Sequence, residues 1–195
     1  MSSDARARWD AAADTFDDEP HHSLDDPLLR SVWWDVLEPV MPAPPARVAD
    51  IGCGTGSLSV LLAERGHTVL GVDVSPRMLE RARTKAERSG VHVELLLGDA
   101  VAPPVGEVDV VVTRHVVWAL DDIPAALDVW FARLAPGGRL VLVEGRWRTG
   151  AGIDAEPLAE LVRRPGVEVG VTPLDDPALW GHPLVDSRYV LVART

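Results

Sequence analysis

Short apolar runs alternate with amphipathic stretches along most of this chain. The apolar runs are rich in Val, Leu and Ile and nearly continuous, which is typical of β-strands that are buried on both faces of a sheet. Seven such runs predict strands at 46–51, 67–74, 92–99, 108–115, 139–145, 167–174 and 188–195. Strands that alternate with helices in this way indicate an α/β protein with one parallel sheet covered on both faces.

The helical stretches carry start and stop signals of their own. Ser75 caps the free amides of the clearest helix, Pro76 takes its first position, and Gly90 ends it. Further helices are predicted directly after Gly56, from near Ile123 to before Gly137-Gly138, and from about Asp154 to Arg164. Each of these helices connects two predicted strands, as a doubly wound sheet requires.

Two more helical segments precede the first strand, at roughly 4–16 and 26–40, and a polar stretch joins them. The second segment opens on an Asp-Pro pair that suits a helix start, and its apolar residues form one stripe. The proline-rich MPAPPA at 41–46 predicts a stiff linker, because each proline fixes its own φ and restricts the residue before it. We therefore divide the chain into an N-terminal segment, residues 1–45, and a core, residues 46–195.

Composition and charge exclude several classes of protein. With 195 residues, 47% of them hydrophobic and 25% charged, the chain has the composition of one globular unit. No window approaches the roughly 18 consecutive apolar residues of a transmembrane helix. The formal net charge of −11 repels phosphate backbones and anionic lipids, so neither nucleic acid nor a membrane is an expected partner. A single cysteine, Cys53, and an N-terminus without the apolar stretch of a secretory signal favour the cytoplasm.

The first predicted strand runs directly into a glycine-rich turn, Gly52-Cys53-Gly54-Thr55-Gly56. Glycines let the backbone adopt positive φ and approach a ligand closely, and the helix that follows offers the free amides of its first turn. The next strand ends in Asp73, where βαβ cofactor folds place an acid on the ribose hydroxyls. The pattern predicts a nucleotide-cofactor site, in which Cys53 is a small buried packing residue.

Turns of this kind also bind dinucleotides, and two residues argue against that reading. Ser57 stands where the dinucleotide fingerprint has its third Gly or Ala. Asp50, two residues before Gly52, is poorly placed beside a pyrophosphate and well placed beside an ammonium group. A nicotinamide-dependent dehydrogenase is therefore the less favoured alternative, and the ligand is expected to be cationic on this side.

Five stretches of the predicted core match one protein family in their order. They are VADIGCGTGSLS at 48–59, GVDVSPRML at 71–79, GDA at 98–100, VDVVVTRHVVWAL at 108–120 and LAPGGRLVLVEG at 134–145. They resemble motif I, the ribose-binding strand end, the adenine-side turn, and the fourth and fifth strands of small-molecule class I S-adenosylmethionine-dependent methyltransferases. The resemblance implies a single Rossmann-like, doubly wound sheet of seven strands, of which the last, containing YVLVAR, is antiparallel. It also implies S-adenosylmethionine as cofactor and S-adenosylhomocysteine as product.

The same resemblance implies which residues surround the cofactor. In order from its methionine portion to its adenine they are Gly52, Gly54, Gly56, Asp50, Arg114, Asp73, Met78, Asp99 and Ala100. The glycines would give backbone access, Asp50 would lie near the amino group, and Arg114 would contribute its backbone carbonyl. Asp73 would accept hydrogen bonds from the ribose, and the last two residues would meet the adenine amino edge. Met78 would pack on adenine, although plain core packing fits it equally well.

Methyl transfer is an in-line displacement at a sulfonium, so alignment and desolvation supply most of what the protein adds. No metal is needed for this chemistry, and we expect none. His115 follows the fourth strand next to the expected methyl position and is the candidate general base. Hydrogen bonding to the acceptor, or orientation of Arg114, are the alternative roles of His115.

The N-terminal segment resembles the helical lid that many small-molecule methyltransferases fold over the cofactor. In RWDAAADTFD a tryptophan, Trp9, takes the place of the family's usual tyrosine, so no role of a phenolic hydroxyl carries over. The candidate acceptor contacts are Trp9, His22, Trp34 and Trp118, with His21 beside His22. For the histidines a solvated loop stays open as an alternative, and for Trp34 and Trp118 core packing does.

The acceptor is expected to be a small, neutral or cationic, partly aromatic or apolar molecule. Only about twenty residues separate the fifth and sixth strands, which leaves no room for a substrate-recognition domain. Two alternatives remain open: an enzyme that uses the cofactor for other chemistry, such as cyclisation of its methionine portion, and a cofactor-binding partner protein without turnover. We expect a monomer or a homodimer.

Overall fold

A seven-stranded sheet runs through the centre of the molecule in the order β3-β2-β1-β4-β5-β7-β6. The computed structural model describes residues 3–181 and 183–195. Its strands are β1 Arg47–Ile51, β2 Thr68–Asp73, β3 Val93–Leu97, β4 Val108–Arg114, β5 Leu134–Arg146, β6 Glu168–Pro173 and β7 Ser187–Arg194. Strand β7 is antiparallel to β5 and β6, and the remaining pairs are parallel. This arrangement confirms the predicted Rossmann-like α/β fold with its antiparallel last strand.

Helices cover both faces of the sheet. They are α1 Ser3–Ala12, α2 Pro20–Ser23, α3 Pro27–Leu37, α4 Ser57–Glu64, α5 Pro76–Ser89, α6 Ile123–Phe131 and α7 Ala155–Val162. One hydrophobic core lies between the sheet and α6 with α7, and a second one lies between the sheet and α3 with α4. Helix α5 packs against β2 and β3. Both faces of the central strands are therefore buried, which explains their nearly continuous apolar sequences.

The helix starts that the sequence predicts have the expected caps. The Ser75 hydroxyl accepts a hydrogen bond from the Met78 amide at 3.1 Å, and Gly90 ends α5 in the left-handed conformation. The Asp26 carboxylate accepts from the Leu28 amide at 2.8 Å at the start of α3. These short-range signals confirm the bounds of α5 and the start of α3.

The N-terminal segment departs from its predicted helix bounds. Helix α1 ends at Ala12, four residues before the predicted end at Phe16, and a 3-10 helical turn follows at Phe16–Asp18. Helix α2 then forms where a polar connection was expected. Contacts with the core explain the difference, because Asp17 accepts a hydrogen bond from the Thr55 hydroxyl at 2.6 Å and Phe16 turns toward the sheet.

Strand β5 begins at Leu134, earlier than the predicted position 139. Its pairing with β4 shifts register between Val108 and Val110, so the stretch that contains Gly137 is irregular. The Ala-Pro-Gly-Gly sequence indicated a turn, and the irregular part of β5 accommodates that local preference within a strand.

Trp33 joins α3 to the core of the protein. Its side chain is fully buried, its indole Nε1 donates to the Leu179 carbonyl at 3.0 Å, and it packs edge-on against Trp180 at 5.3 Å. Helix α3 therefore belongs to the hydrophobic core, although it lies within the N-terminal segment. Among the helices of the described residues, none has the length and apolar character needed to span a bilayer.

Candidate active site

A cavity of about 340 Å³ opens above the carboxyl ends of the central parallel strands. Ligands collect at this edge in open α/β sheets, where the strand order reverses between β1 and β4. The predicted site residues that line it are Asp50, Gly52, Gly54, Asp73, Met78, Ala100, Arg114, His115, Trp9, His22 and Trp118. The structure thus brings most of the predicted site together in one cavity.

The glycine turn forms the floor of this cavity. Gly52 and Gly54 both have positive φ, +71° and +55°. A Cβ atom at Gly52 would collide with the Val116 side chain, and one at Gly54 would lie 3.5 Å from the Phe16 ring. Side chains at these two positions would therefore close the approach to the turn backbone.

Gly56 has a different environment from the one that the sequence predicted. Its φ is +79°, and a Cβ atom there would lie 2.7 Å from the Cβ of Ala82 on α5. Gly56 does not line the cavity. The glycine therefore allows α4 and α5 to pack closely, and the predicted contact with the methionine portion is corrected for this residue.

Two buried acidic side chains line the cavity beside the turn, and one of them holds the turn backbone. Asp50 is fully buried and accepts a hydrogen bond from the Ser59 hydroxyl at 2.5 Å. Burial raises the pKa of Asp50 to about 6, and the Ser59 hydrogen bond opposes this shift. Asp73 accepts from the Gly54 and Ser75 amides, each at 2.9 Å, so its carboxylate also fixes the turn backbone. Burial raises the pKa of Asp73, against the effect of these two hydrogen bonds.

Two of the three residues predicted on the adenine side line the cavity. Met78 is buried in the first turn of α5, and Ala100 follows β3; both line the cavity. Asp99 does not line it, because its carboxylate turns back to accept from the Val101 amide at 3.1 Å. The neighbouring Gly98 lines the cavity in its place.

Arg114 lines the cavity, and its side chain contacts residues of the N-terminal segment. The guanidinium carbon lies 5.2 Å from the centroid of the Trp33 ring, and Nη2 donates to the His22 carbonyl at 3.2 Å. Burial lowers the pKa of Arg114 to about 10, and the charges of Asp50 and Asp17 oppose this shift. The sequence predicted only a backbone contribution at this position.

His115 lies among aromatic rings at the end of β4. Its φ is +61°, and its amide donates to the Val143 carbonyl at 2.8 Å. Its ring stacks on Trp180 at 5.9 Å and meets the edge of Trp147 at 5.3 Å. The Trp118 indole donates to the His115 carbonyl at 2.8 Å. The imidazole therefore faces the cavity and is held in place by neighbouring tryptophan side chains.

Glu144, near the end of β5, holds the loop that follows β4. The sequence analysis did not single out this residue. One carboxylate oxygen accepts from the Val116 and Val117 amides at 2.8 and 2.7 Å. The other oxygen, Oε2, accepts no hydrogen bond from any described residue. Burial raises the pKa of Glu144 to about 8. The sequence signal that could have identified Glu144 is an acidic residue at the end of an otherwise apolar strand.

The N-terminal segment supplies one wall of the cavity. The Phe16 ring stacks on the His22 imidazole at 4.4 Å, and His22 Nδ1 lies 2.9 Å from the Phe16 carbonyl oxygen. Trp9 meets the edge of Phe16 at 6.3 Å. Burial lowers the pKa of His22, and the charge of Arg114 adds to this effect. The sequence analysis did not include Phe16 among the site residues. The side chain of His21 lies outside the described part of the chain.

Trp34 lies away from the cavity, in contrast to its neighbour Trp33. The Arg65 guanidinium lies 4.8 Å from the centroid of the Trp34 ring, and the His67 ring is 6.4 Å away. Consecutive helical residues point about 100° apart, so Trp33 takes the core side of α3 and Trp34 faces the end of α4. The predicted acceptor contact of Trp34 is therefore corrected.

The sequence analysis did not predict the cavity contacts made by the chain that follows β5. Trp147, Thr149 and Ala151, from the end of β5 and the loop after it, line the cavity. Trp147 meets Trp118 at 5.5 Å. The loop folds back on the end of β5, where the Trp147 amide donates to the Ala151 carbonyl and the Ile153 amide donates to the Gly145 carbonyl, each at 2.9 Å.

Comparisons with known proteins agree with this fold. The model of the methyltransferase domain family matches residues 48–138. Trans-aconitate 2-methyltransferase of Streptomyces coelicolor is 43% identical over 112 residues, which cover 53% of this chain and 36% of that protein. Nocamycin O-methyltransferase of Saccharothrix syringae is 31% identical over 186 residues, which cover 85% of this chain and 66% of that protein.

Solved structures share the fold over nearly the whole chain. The N-methyltransferase NodS of Bradyrhizobium japonicum, solved with S-adenosyl-L-homocysteine, superposes with a TM-score of 0.73 at 21% identity and covers 96% of this chain and 98% of that chain. The sheet order and the glycine turn thus place the protein in the Rossmann-like class of nucleotide-binding folds. Residues 48–138 of the chain belong to the methyltransferase domain family, and the fold is that of the class I S-adenosylmethionine-dependent methyltransferases. The chain spans between 35% and 50% of the length of the first curated relatives that it matches.

The cavity fits this cofactor on its own geometry. Glycines at positions 52 and 54 leave the space that side chains would fill. The two buried carboxylates, Asp50 and Asp73, suit a ligand with an ammonium group, a sulfonium and ribose hydroxyls. Within the described residues, no group of three or more His, Cys, Asp or Glu side chains could hold a metal ion.

Proposed function

We propose that this chain transfers a methyl group to a small-molecule acceptor by in-line displacement. The observation that carries the proposal is one cavity that is lined both by the glycine turn with its two acids and by His115 with its aromatic neighbours. The bound cofactor supplies a methyl group on a positively charged sulfur. The protein then has to align the acceptor with that group and exclude water.

The cofactor half of the site is formed by residues at the carboxyl ends of β1, β2 and β3. We assign the turn backbone at Gly52 and Gly54 to the methionine portion, and Asp73 to the ribose hydroxyls. Met78 and Ala100 contact the adenine, with Asp99 one residue away. The presence of Gly52, Gly54, Asp73, Met78 and Ala100 in the lining of one cavity supports these assignments.

The acceptor half is predominantly aromatic. Trp9, Phe16, Trp118 and Trp147 contribute rings to the wall, and such rings bind flat or apolar groups, or a cation over a ring face. We therefore propose an acceptor that is small, neutral or cationic, and partly aromatic or apolar. The formal net charge of −11 supports the exclusion of nucleic acid.

We assign His115 to the acceptor side of the reaction. Its imidazole is held at the cavity by stacking on Trp180 and by the hydrogen bond from its own amide to Val143. From there it accepts a proton from a hydroxyl or ammonium acceptor, or orients that group by hydrogen bonding. An acceptor with no proton to lose needs only the positioning role.

Residues 1–45 contribute a lid over the acceptor side, and residues 46–195 the methyltransferase core. Trp9, Phe16 and His22 support the lid assignment because they line the cavity from outside the sheet. The lid assignment applies to α1 and α2, since α3 is anchored in the core through Trp33. We further propose that the protein acts in the cytoplasm as a monomer or homodimer; the buried state of its one cysteine agrees with a reducing compartment.

The first experiment is a calorimetric and thermal-shift titration with S-adenosylhomocysteine, S-adenosylmethionine and NAD. A ligand at 100 times its dissociation constant adds about 2.7 kcal/mol to stability. We expect both sulfur ligands to bind and NAD not to bind. Failure of both sulfur ligands would contradict the proposal.

Product analysis then separates methyl transfer from the alternatives. With a panel of small aromatic and amine acceptors, methyl transfer releases S-adenosylhomocysteine. Cyclisation of the methionine portion releases methylthioadenosine without any acceptor. Cofactor binding without any product across the panel would favour a partner protein without turnover.

A further inference from the structure

Asp50 and Arg114 carry opposite charges at the same edge of the sheet. Asp50 is next to last in β1, Arg114 is last in β4, and the two strands are neighbours. Asp50 is in register with Val112, so Arg114 lies two residues, or about 7 Å, farther along. Two residues is one full side-chain repeat of a strand, so both side chains leave the same face of the sheet.

The contacts of the guanidinium agree with this placement. It lies over Trp33, which belongs to the core on that face, and its Nη2 donates to the carbonyl of His22, a residue of the cavity wall. The charge of Asp50 stabilises the protonated guanidinium. The two side chains therefore form a matched pair of charges beside the glycine turn.

The charges of the cavity define what this pair can bind. Asp50 and Asp73 are both carboxylates, so the carboxylate of the cofactor's methionine portion would be repelled on entry. Among the described residues that line the cavity, Arg114 alone carries a permanent positive charge. A buried anionic group requires such a partner, since an uncompensated charge is strongly disfavoured.

We infer that the Arg114 side chain binds the carboxylate of the cofactor's methionine portion while Asp50 binds the ammonium group of the same carbon atom. The planar guanidinium suits a carboxylate, with which it can form two parallel hydrogen bonds. The inference rests on the proposed function for its cofactor. It extends the family resemblance, which implied only the backbone carbonyl of Arg114.

A pair of ligands isolates this interaction. S-adenosylmethionine and its decarboxylated analogue differ only in the carboxylate, and 5′-methylthioadenosine lacks the amino-acid group altogether. By calorimetry, we expect wild-type protein to prefer S-adenosylmethionine over the decarboxylated analogue by about 10- to 100-fold, the range of hydrogen bonds to charged groups.

Two variants test Arg114 and Asp50 separately. Arg114→Met keeps an unbranched apolar side chain and removes the charged guanidinium, so the preference should fall to within about twofold. Asp50→Asn should weaken both amino-bearing ligands by the same factor and leave their ratio unchanged. Affinity for 5′-methylthioadenosine should stay at the wild-type value in both variants, which shows that the rest of the cavity is intact.

Several outcomes would overturn the inference. If Arg114→Met weakened both ligands equally, the side chain would only anchor the N-terminal segment through His22. Equal affinities of the wild-type protein for the two ligands would contradict it without any variant, so a failure of Arg114→Met to fold leaves the inference testable. If wild-type protein bound neither S-adenosylmethionine nor S-adenosylhomocysteine, the proposed function would fail as well.

Discussion

The Lys85 ammonium group lies 3.0 Å from the Asp17 carboxylate, and this ion pair joins α5 to the N-terminal segment. Lys85 also donates to the Ser57 hydroxyl at 2.5 Å and to the Ser23 carbonyl at 3.2 Å. Its side chain is only 12% exposed, so the contact is more than a surface pair. Because Asp17 also accepts from Thr55 in the glycine turn, the wall of the cavity is coupled to its floor.

Loss of the Lys85 contacts should loosen this wall. Lys85→Met removes the ion pair and its hydrogen bonds, worth about 1 kcal/mol, and we expect S-adenosylhomocysteine to dissociate roughly fivefold faster. Stopped-flow tryptophan fluorescence measures the rate. Arg83→Met, at an exposed position of the same helix, is the control. Equal rates in the two variants would contradict a closing role for Lys85.

Asp73 should be essential for cofactor affinity. Asp73→Ala removes the acceptor assigned to the ribose and frees the Gly54 and Ser75 amides, so binding should weaken by roughly 1.5 to 3 kcal/mol. Calorimetry with S-adenosylhomocysteine measures the change. Asp109→Ala is a matched control, because that carboxylate accepts from the Arg47 amide at the opposite edge of the sheet. An unchanged dissociation constant in Asp73→Ala would remove the residue from the cofactor site.

Glu144 should make the stability depend on pH. Its pKa is raised from 4.5 to about 8 in the folded protein, so between these values the folded state binds more protons than the unfolded state. This group's stabilising contribution is complete below about pH 4.5 and is lost as the pH rises through about 8. Glu144→Gln retains an acceptor for the Val116 and Val117 amides and cannot lose a proton.

The prediction for Glu144 is therefore a difference between two proteins. The melting temperature of Glu144→Gln, measured relative to wild type, should increase steadily from pH 5 to pH 9, roughly the interval between the two pKa values. All other titrating groups are common to both proteins and cancel. A difference that stays constant across this range would show that Glu144 is ionised throughout.

His115 should affect turnover more than cofactor affinity. Once an acceptor is identified, His115→Ala should lower kcat by about 10²-fold or more if the imidazole takes the acceptor proton, with near-normal affinity for S-adenosylhomocysteine. His92→Ala, at an exposed position, is the control. Full activity of His115→Ala would remove the residue from the mechanism.

Phe16 and Trp34 should behave oppositely when replaced by alanine. Phe16 covers the glycine turn and stacks on His22, so Phe16→Ala should weaken S-adenosylhomocysteine binding by about 1 kcal/mol or more. Trp34 lies outside the cavity against Arg65, so Trp34→Ala should leave the affinity unchanged. Calorimetry on both variants tests whether the N-terminal segment contacts the cofactor region.

The number and order of the strands, the helix caps and the glycine turn could be predicted from the sequence. These features depend on local chemistry: continuous apolar runs form buried strands, Ser75 and Asp26 cap the helices that follow them, and only glycine suits the backbone at Gly52 and Gly54. Because the motif order follows the chain, most of the residues at the strand ends that line the cavity could be predicted.

The tertiary structure alone decided which residues surround the acceptor and how the charges are paired. The Arg114 guanidinium meets His22 across 92 positions of sequence, and Glu144 meets the loop after β4 across 28. Trp33 and Trp34 are adjacent in sequence, yet one enters the core and the other does not. Such contacts depend on the packing of distant elements, and no local pattern records that packing.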